Sequence, residues 1–178
     1  MKRNQLTVTI SSVTGNTEKI ARAVLRELDS MGVAVSAFKN REMEEIPQER
    51  GPLLMFFWCR KSGMDDLSLS VLEKCQGRTV IAIGTMGSYP QGTYGQRVYE
   101  KVKAQIKEQN FCAGVFLSQG KISEKRTEYR RNLPPGDPHR LDERGLARHL
   151  ESRKHPDEQD IWKAISYVKN NLGDLLDA

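Results

Sequence analysis

The sequence predicts an α/β fold of three layers, a five-stranded parallel sheet covered by helices on both faces. Short β-branched or apolar runs alternate five times with stretches whose apolar residues recur at the 3.6-residue period of a helix. The third run, Leu53-Leu54-Met55-Phe56-Phe57-Trp58, is apolar on both faces, as the centre of a parallel sheet requires. The first run passes directly into its helix, an arrangement that leaves the leading N–H groups of that helix unpaired at the strand's carboxyl end.

The elements follow in order. Strand one is Leu6 to Ile10, and the helix after it carries Ile20, Ala21, Val24, Leu25 and Leu28 on one stripe. That helix ends near Met31-Gly32, with Gly32 a natural C-cap, and strand two runs from Val33 to Phe38. Residues 39–51 form a charged connection with a turn of helix around Arg41 to Glu45. After strand three, Met64 to Cys75 is a short helix with Leu67, Val71 and Leu72 inward. Strand four is Arg78 to Gly84, a long helix opens at Gln91 or Gly92 with Val98, Val102 and Ile106 buried, and strand five is Phe111 to Leu117. The last helix starts near Asp157 and aligns Ile161, Ile165, Val168 and Leu172. Residues 118–156 exceed this plan. They hold a rigid Leu133-Pro134-Pro135-Gly136-Asp137-Pro138 corner between two short helices, Ser123 to Asn132 and Asp142 to Arg153, the second capped by Asp142 with Leu146 and Leu150 as its apolar contacts. So long a connection is either functional, a packed module, or a tolerated surface extension.

Composition bounds the function. A chain of 178 residues, 38% apolar, fits one domain over 1–178 with the insert packed on it. No stretch approaches the roughly 20 apolar residues of a membrane span. Met1 to Gln5 leads straight into strand one without a signal-peptide apolar region. Cys59, Cys75 and Cys112 are odd in number and widely spaced, and His139, His149 and His155 lack metal-ligand spacing. The expected location is a reducing cytoplasm. Of the net charge of +5, four units fall in residues 119–155, which hold ten Lys/Arg against six Asp/Glu. Without aromatic interleaving or a known module, that basic stretch does not read as a nucleic-acid site.

Between strand one and its helix lie Ser11, Ser12, Thr14, Asn16 and Thr17, with Gly15 among them. One helix cap needs one such residue, and here there are five. Hydroxyl donors, a glycine that lets backbone approach closely and the positive end of a helix dipole make a cradle for a phosphate held by neutral groups. The lysine of a GxxxxGK[ST] loop is absent.

Ser12-Val13-Thr14-Gly15-Asn16-Thr17 resembles the [ST]-x-T-G-x-T phosphate loop of the flavodoxin family, as does the Glu-Lys-Ile-Ala that follows it. The resemblance covers nearly the whole chain except the insert. It implies the sheet order 2-1-3-4-5, with the ligand at the strand ends beside the switch point. It also implies flavin mononucleotide (FMN) as cofactor, its 5′-phosphate on residues 12–17. Two further loops should close over it, Trp58 to Asp65 and Gly84 to Tyr94, bringing Trp58, Arg60, Thr85, Met86, Gly87, Tyr89 and Tyr94 to the cofactor. A flat ring with apolar faces wants aromatic plates, and Trp58 and Tyr89 stand at the right strand ends, with Tyr94 as the alternative plate. Flavodoxins ring the flavin with acidic residues, whereas Arg60 and Lys61 stand here, so a less negative potential is expected for the second reduction step. Cys59 beside this loop reads as a packing residue.

What the resemblance implies is an electron carrier between a reductase and an acceptor enzyme, a monomer or weak dimer. The Gly-Thr-Met-Gly-x-Tyr-Pro loop and the Pro-Pro-Gly-x-Pro-His insert look like a bacterial branch of short flavodoxin-like proteins, some of which accompany the bilirubin reductase of gut bacteria. The acceptor would then be a larger flavoenzyme. The alternative is an FMN-dependent oxidoreductase acting directly on a quinone or tetrapyrrole, as in flavodoxin-like protoporphyrinogen oxidases, with the basic insert binding the anionic substrate. The absence of a proton-transfer residue in the three flavin loops favours the carrier. No catalytic residue and no metal ligand is assigned.

Overall fold

The computed structural model of the chain describes residues 5–47 and 51–176; the lead-in over residues 1–4 and part of the 39–51 connection, residues 48–50, lie outside them. Strands β1 (Leu6–Ile10), β2 (Val35–Lys39), β3 (Leu53–Arg60), β5 (Thr79–Met86) and β6 (Phe111–Gln119) form a parallel sheet in the order β2-β1-β3-β5-β6. This is the expected 2-1-3-4-5 topology. A two-residue strand β4 (Gly63–Met64) was not expected and pairs antiparallel with the end of β3.

Along β3 the period of two sends alternate side chains to opposite faces. Leu53, Met55 and Phe57 join Val80 and Ala82 beneath α2 (Asp66–Lys74) and α3 (Thr93–Lys107), with Val71, Leu72, Val98, Val102 and Ile106 from the helices. Leu54 and Phe56 join Leu6, Val8, Ile81 and Ile83 beneath α1 (Asn16–Ser30) and α6 (Glu158–Leu176). A 3-10 helix, Asn40–Glu45, fills the connection after β2.

Several boundaries shift for identifiable reasons. β5 runs to Met86 and β6 to Gln119 because their ladder continues through Thr85↔Ser118 and Met86↔Gln119. Thr85 and Met86 are therefore strand residues with buried side chains, not loop residues. α2 starts at Asp66 because the Asp65 carboxylate caps it, and this rotation leaves Leu67 about half exposed while Leu69 packs on the core.

The insert forms α4 (Glu124–Arg131) and α5 (Glu143–Ser152), capped by Ser123 and Asp142. Leu150 is exposed, and the buried face of α5 is instead Gly145, His149 and Ser152. His149 Nδ1 and Thr127 Oγ1 share a 3.0 Å hydrogen bond that joins the two helices. At the start of α6, Asp157 and Asp160 each accept the other's backbone N–H, and His155 Nδ1 lies 2.5 Å from Asp160 Oδ2. Lys19 on α1 donates to the Pro156 carbonyl, fastening the end of the insert to the first helix.

Burial, and then the charges of Arg148, Arg130, Arg126 and Arg153, hold His149 down from 6.5 to about 4. The unfolded chain takes up this proton near 6.5 and the folded protein only near 4, so stability falls as pH drops through that window. Thermal melts across it are expected to show a steeper decline for the wild type than for His149→Gln, which cannot titrate. Parallel declines would mean that His149 is protonated without cost.

Candidate functional site

The loop from β1 to α1 is set by three bonds. Gly15, at φ +90°, is the N-cap of α1, and a Cβ added there would meet nothing within 4 Å, so the space above it is open. The Glu18 N–H donates to Ser12 Oγ (3.3 Å), drawing Ser12 over the helix start. Asn16 Nδ2 donates to Thr14 Oγ1 (3.3 Å) and to the Lys121 carbonyl (3.0 Å). The first helical bond is Lys19 N–H to Gly15 O, so the N–H groups of Gly15, Asn16 and Thr17 precede the ladder.

Thr17 behaves differently. It is buried, shares a 2.7 Å bond with Thr85 Oγ1 and lies 3.3 Å from the Phe57 carbonyl oxygen it donates to. The hydroxyls of Thr17 and Thr85 thus tie the first turn of α1 to β3 and β5 under the loop. Both hydroxyls lie buried beneath the loop, bonded to each other.

Asp65 organises the neighbouring strand end. It is buried and accepts from Ser11 Oγ (2.8 Å), Ser68 Oγ (2.8 Å), the Ser68 N–H (3.2 Å) and the Trp58 N–H (3.3 Å). One carboxylate therefore fixes the ends of β1 and β3 and the start of α2. An Asp three residues before Ser68, at the head of an apolar-periodic run, is a legible cap signal. Its grip on Ser11 and Trp58 is not legible.

A cleft of about 410 Å³ opens beside these residues, lined by Ser12, Val13, Glu18, Lys39, Asn40, Trp58, Arg60 and Asp65 among others. Val13 is 74% exposed at its rim. Arg60 pairs with Asp66, so part of the positive charge expected beside the ring is neutralised. β3 and β4 are joined by Lys61 and Ser62, both at positive φ (48° and 64°), a conformation that non-glycine residues adopt at a cost. The turn is strapped to α3: Lys101 Nζ donates to the Lys61 carbonyl (2.9 Å), Ser62 Oγ to Tyr94 Oη (3.1 Å) and the Met64 N–H to Gln105 Oε1 (3.1 Å).

Gly87, Tyr89 and Tyr94 stand beyond β5, outside the lining of the cleft. Tyr89 is 44% and Tyr94 37% exposed. The Tyr89-Pro90 turn is pressed against the first turn of α3, where a Cβ on Gly95 would lie 2.0 Å from the Pro90 carbonyl oxygen. The structure thus gathers Ser12, Val13, Trp58 and Arg60 around the cleft and Thr14, Gly15 and Asn16 at the helix start. Tyr89 stands in the turn after β5, and Tyr94, on the first turn of α3, is bonded to Ser62 of the β3–β4 turn. Burial pushes the Cys59 thiol up, which disfavours a reactive thiolate and agrees with its reading as a packing residue.

A flavodoxin domain profile matches residues 7–169. The chain belongs to the flavodoxin family. It is 31% identical over 166 residues to the flavodoxin-like domain-containing protein BilS of Clostridioides difficile, covering 93% of this chain and 94% of that protein. Among solved structures, a flavo di-iron protein mutant from Thermotoga maritima matches with a TM-score of 0.53 at 16% identity, over 96% of this chain. The chain spans 36% of that protein. The two-electron reduced flavodoxin of Megasphaera elsdenii matches over 83% of this chain and 98% of its own, at 13% identity and a TM-score of 0.47.

Flavodoxins are flavoproteins of electron transport, and FMN is their cofactor. The donor set of this chain fits it: unladdered N–H groups at the start of α1, neutral hydroxyl and amide side chains, and open space over Gly15. Among the described residues, no helix is long and apolar enough to cross a membrane.

Proposed function

We propose that this flavodoxin-like chain carries electrons between a reductase and an acceptor enzyme, a larger flavoenzyme by the resemblance set out above. The observation that carries this reading is the state of the carboxylates lining the cleft. Asp65 accepts from Ser11, Trp58 and Ser68, Asp66 is paired with Arg60, and Glu18 lies 2.8 Å from Arg22. An enzyme that protonates or deprotonates a small substrate needs a positioned acid or base free to exchange its proton. Among the described residues, each carboxylate lining the cleft is already engaged.

FMN supplies reversible electron uptake when bound. The chain's own residues do the rest. Ser12, Thr14, Gly15 and Asn16 hold the phosphate, and Val13 shields the loop's outer side. Trp58 flanks the ring on one side and Tyr89 or Tyr94, with Met86 and Gly87 behind them, on the other. Thr17 and Thr85 brace the floor. With Arg60 engaged by Asp66, the charge that raises the potential falls mainly on Lys61. Redox titration of the Arg60→Glu/Lys61→Glu variant is expected to move the second couple to a more negative potential; an unmoved couple places both side chains outside the ring's field. The three cysteines are free, in keeping with a reducing cytoplasm, where the protein acts as a monomer or weak dimer.

The reading is tested by photoreducing the FMN-loaded protein without air, then adding a quinone or a protein acceptor. A carrier gives up its electrons slowly to the quinone and rapidly to the protein. Fast turnover on the quinone would make the chain an enzyme, with the basic insert as part of its substrate site.

A further inference from the structure

The insert is not a remote appendage. Its first residues lie between the two cofactor loops: a Cβ on Gly87 would stand 2.7 Å from Ile122 Cγ1, and one on Gly120 would stand 2.9 Å from Asn16 Nδ2. The Gly120 N–H donates to the Met86 carbonyl (2.8 Å), and the Ile122 N–H to Ser152 Oγ (3.0 Å) at the end of α5. α4 and α5 therefore flank the β5 side of the site, where Tyr89 and Tyr94 are exposed.

The two helices bring like charges together. Arg126 and Arg130 are one turn apart on α4, and Arg148 adjoins His149, the residue bonded to Thr127 of α4. Thr127, between Arg126 and Arg130 on α4, is bonded to His149 beside Arg148, so the two helices bring the three side chains to one seam; burial, and then the charges of Arg126 and Arg148, lower the pKa of Arg130. Arg153 lies 3.5 Å from Glu124. Among the described residues, by contrast, none of Arg126, Arg130 and Arg148 has a carboxylate within ion-pair distance. Of the carboxylates nearby, Glu124 faces Arg153, Asp142 caps α5 and Glu151 pairs with Lys154. Three guanidinium groups on adjoining turns of two bonded helices, with no carboxylate paired to them among the described residues, generate a positive field that an anionic surface would relieve.

We propose that Arg126, Arg130 and Arg148 form a docking surface for the acidic face of the redox partner. This rests on the electron-carrier reading above. Arg126 is exposed and Arg130 and Arg148 are half-buried on the two helices beside the rim of the site, whereas the described cleft is lined only by residues 10–67. A partner must bring its own redox centre to the cofactor edge, so its surface necessarily covers that rim. Arg is among the side chains enriched at the energetic centres of such contacts. Carboxylates meet guanidinium groups in bidentate geometry, which orients the partner as well as attracting it.

The test uses two small redox proteins of opposite charge, an acidic rubredoxin and basic cytochrome c. Each takes one electron from the reduced, FMN-loaded protein, its ferric iron becoming ferrous. The second-order rate constant with rubredoxin is expected to fall on the order of tenfold between about 20 and about 200 mM salt, as a steered encounter does. With cytochrome c it should rise or stay flat. The triple variant Arg126→Glu/Arg130→Glu/Arg148→Glu is expected to reverse both slopes, and the triple Arg→Lys variant to keep them. A salt-independent rate with rubredoxin in the unmodified protein overturns the proposal, and needs no variant to fold. So does tighter, salt-sensitive binding of a labelled single-stranded DNA that the charge reversal abolishes, because the surface would then serve a nucleic acid. FMN binding, followed by quenching of flavin fluorescence, separates the two readings. A protein that does not bind FMN fails as a carrier, whereas one that binds it but shows no salt slope fails only in its docking surface.

Discussion

Ser12→Asp is expected to weaken FMN binding on the order of a hundredfold while leaving the melting temperature unchanged or slightly raised. Ser12 Oγ already accepts the Glu18 N–H at the start of α1, and a carboxylate can accept it as well. A negative charge in the first turn also suits the helix dipole, by roughly 0.3–1 kcal/mol. The same charge then stands where the phosphate must sit. Two like unit charges ~4 Å apart repel by ~4 kcal/mol at an effective dielectric of ~20, and solvent over this half-exposed loop reduces that figure. A hundredfold loss corresponds to about 2.7 kcal/mol. The opposite movements of affinity and stability make the result specific, since a damaged loop would lower both. Flavin-fluorescence titration and thermal melts read the two quantities. Undiminished affinity would place the phosphate elsewhere.

Asp65→Ala is expected to cost on the order of 4 kcal/mol of folding stability, read from denaturant unfolding. The substitution removes the acceptor of four hydrogen bonds from a site only 2% exposed. Each buried donor left unpaired costs about 1–3 kcal/mol, partly recovered by relaxation, and loss of the cap adds about 1 kcal/mol. Asp65→Asn keeps one acceptor oxygen but turns an NH2 group toward donors, so roughly half the loss is expected. FMN affinity should fall in step, because the same carboxylate holds the backbone of Trp58 and the side chain of Ser11. A loss below about 1 kcal/mol for the alanine variant would mean that water replaces the carboxylate without penalty.

The parts of this protein that were legible in its sequence are those governed by periodicity. The double-sided apolar run of β3, the stripes of α1, α3 and α6 and the polar loop after β1 each follow from spacing alone. Where a single rotation or bond decides, spacing does not suffice. Thr17 and Thr85 carry the residue type of phosphate donors, yet their hydroxyls turn inward to each other. Leu67 fits a helical stripe until the Asp65 cap fixes the phase of α2 and places Leu69 inward instead. The β3–β4 hairpin was hidden because Lys61-Ser62 carries none of the Asn-Gly or Gly-x signals of a two-residue turn. Its left-handed backbone is held by bonds from α3, some forty residues later in the chain. Leu150 looked like the apolar contact of α5, but the helix buries His149 because Thr127 satisfies its ring nitrogen.

The bond from Asn16 to the Lys121 carbonyl spans 105 residues. The loop after β1 is synthesised well before β6, yet one wall of it arrives only when the tail of β6 has emerged and its Gly120 N–H has met the Met86 carbonyl. Closure of so long a loop comes late in assembly, after the local helices and the neighbouring strand pairs. A nascent chain ending before β6 would therefore expose the cradle without its brace, and cofactor loading becomes a step that follows the emergence of β6.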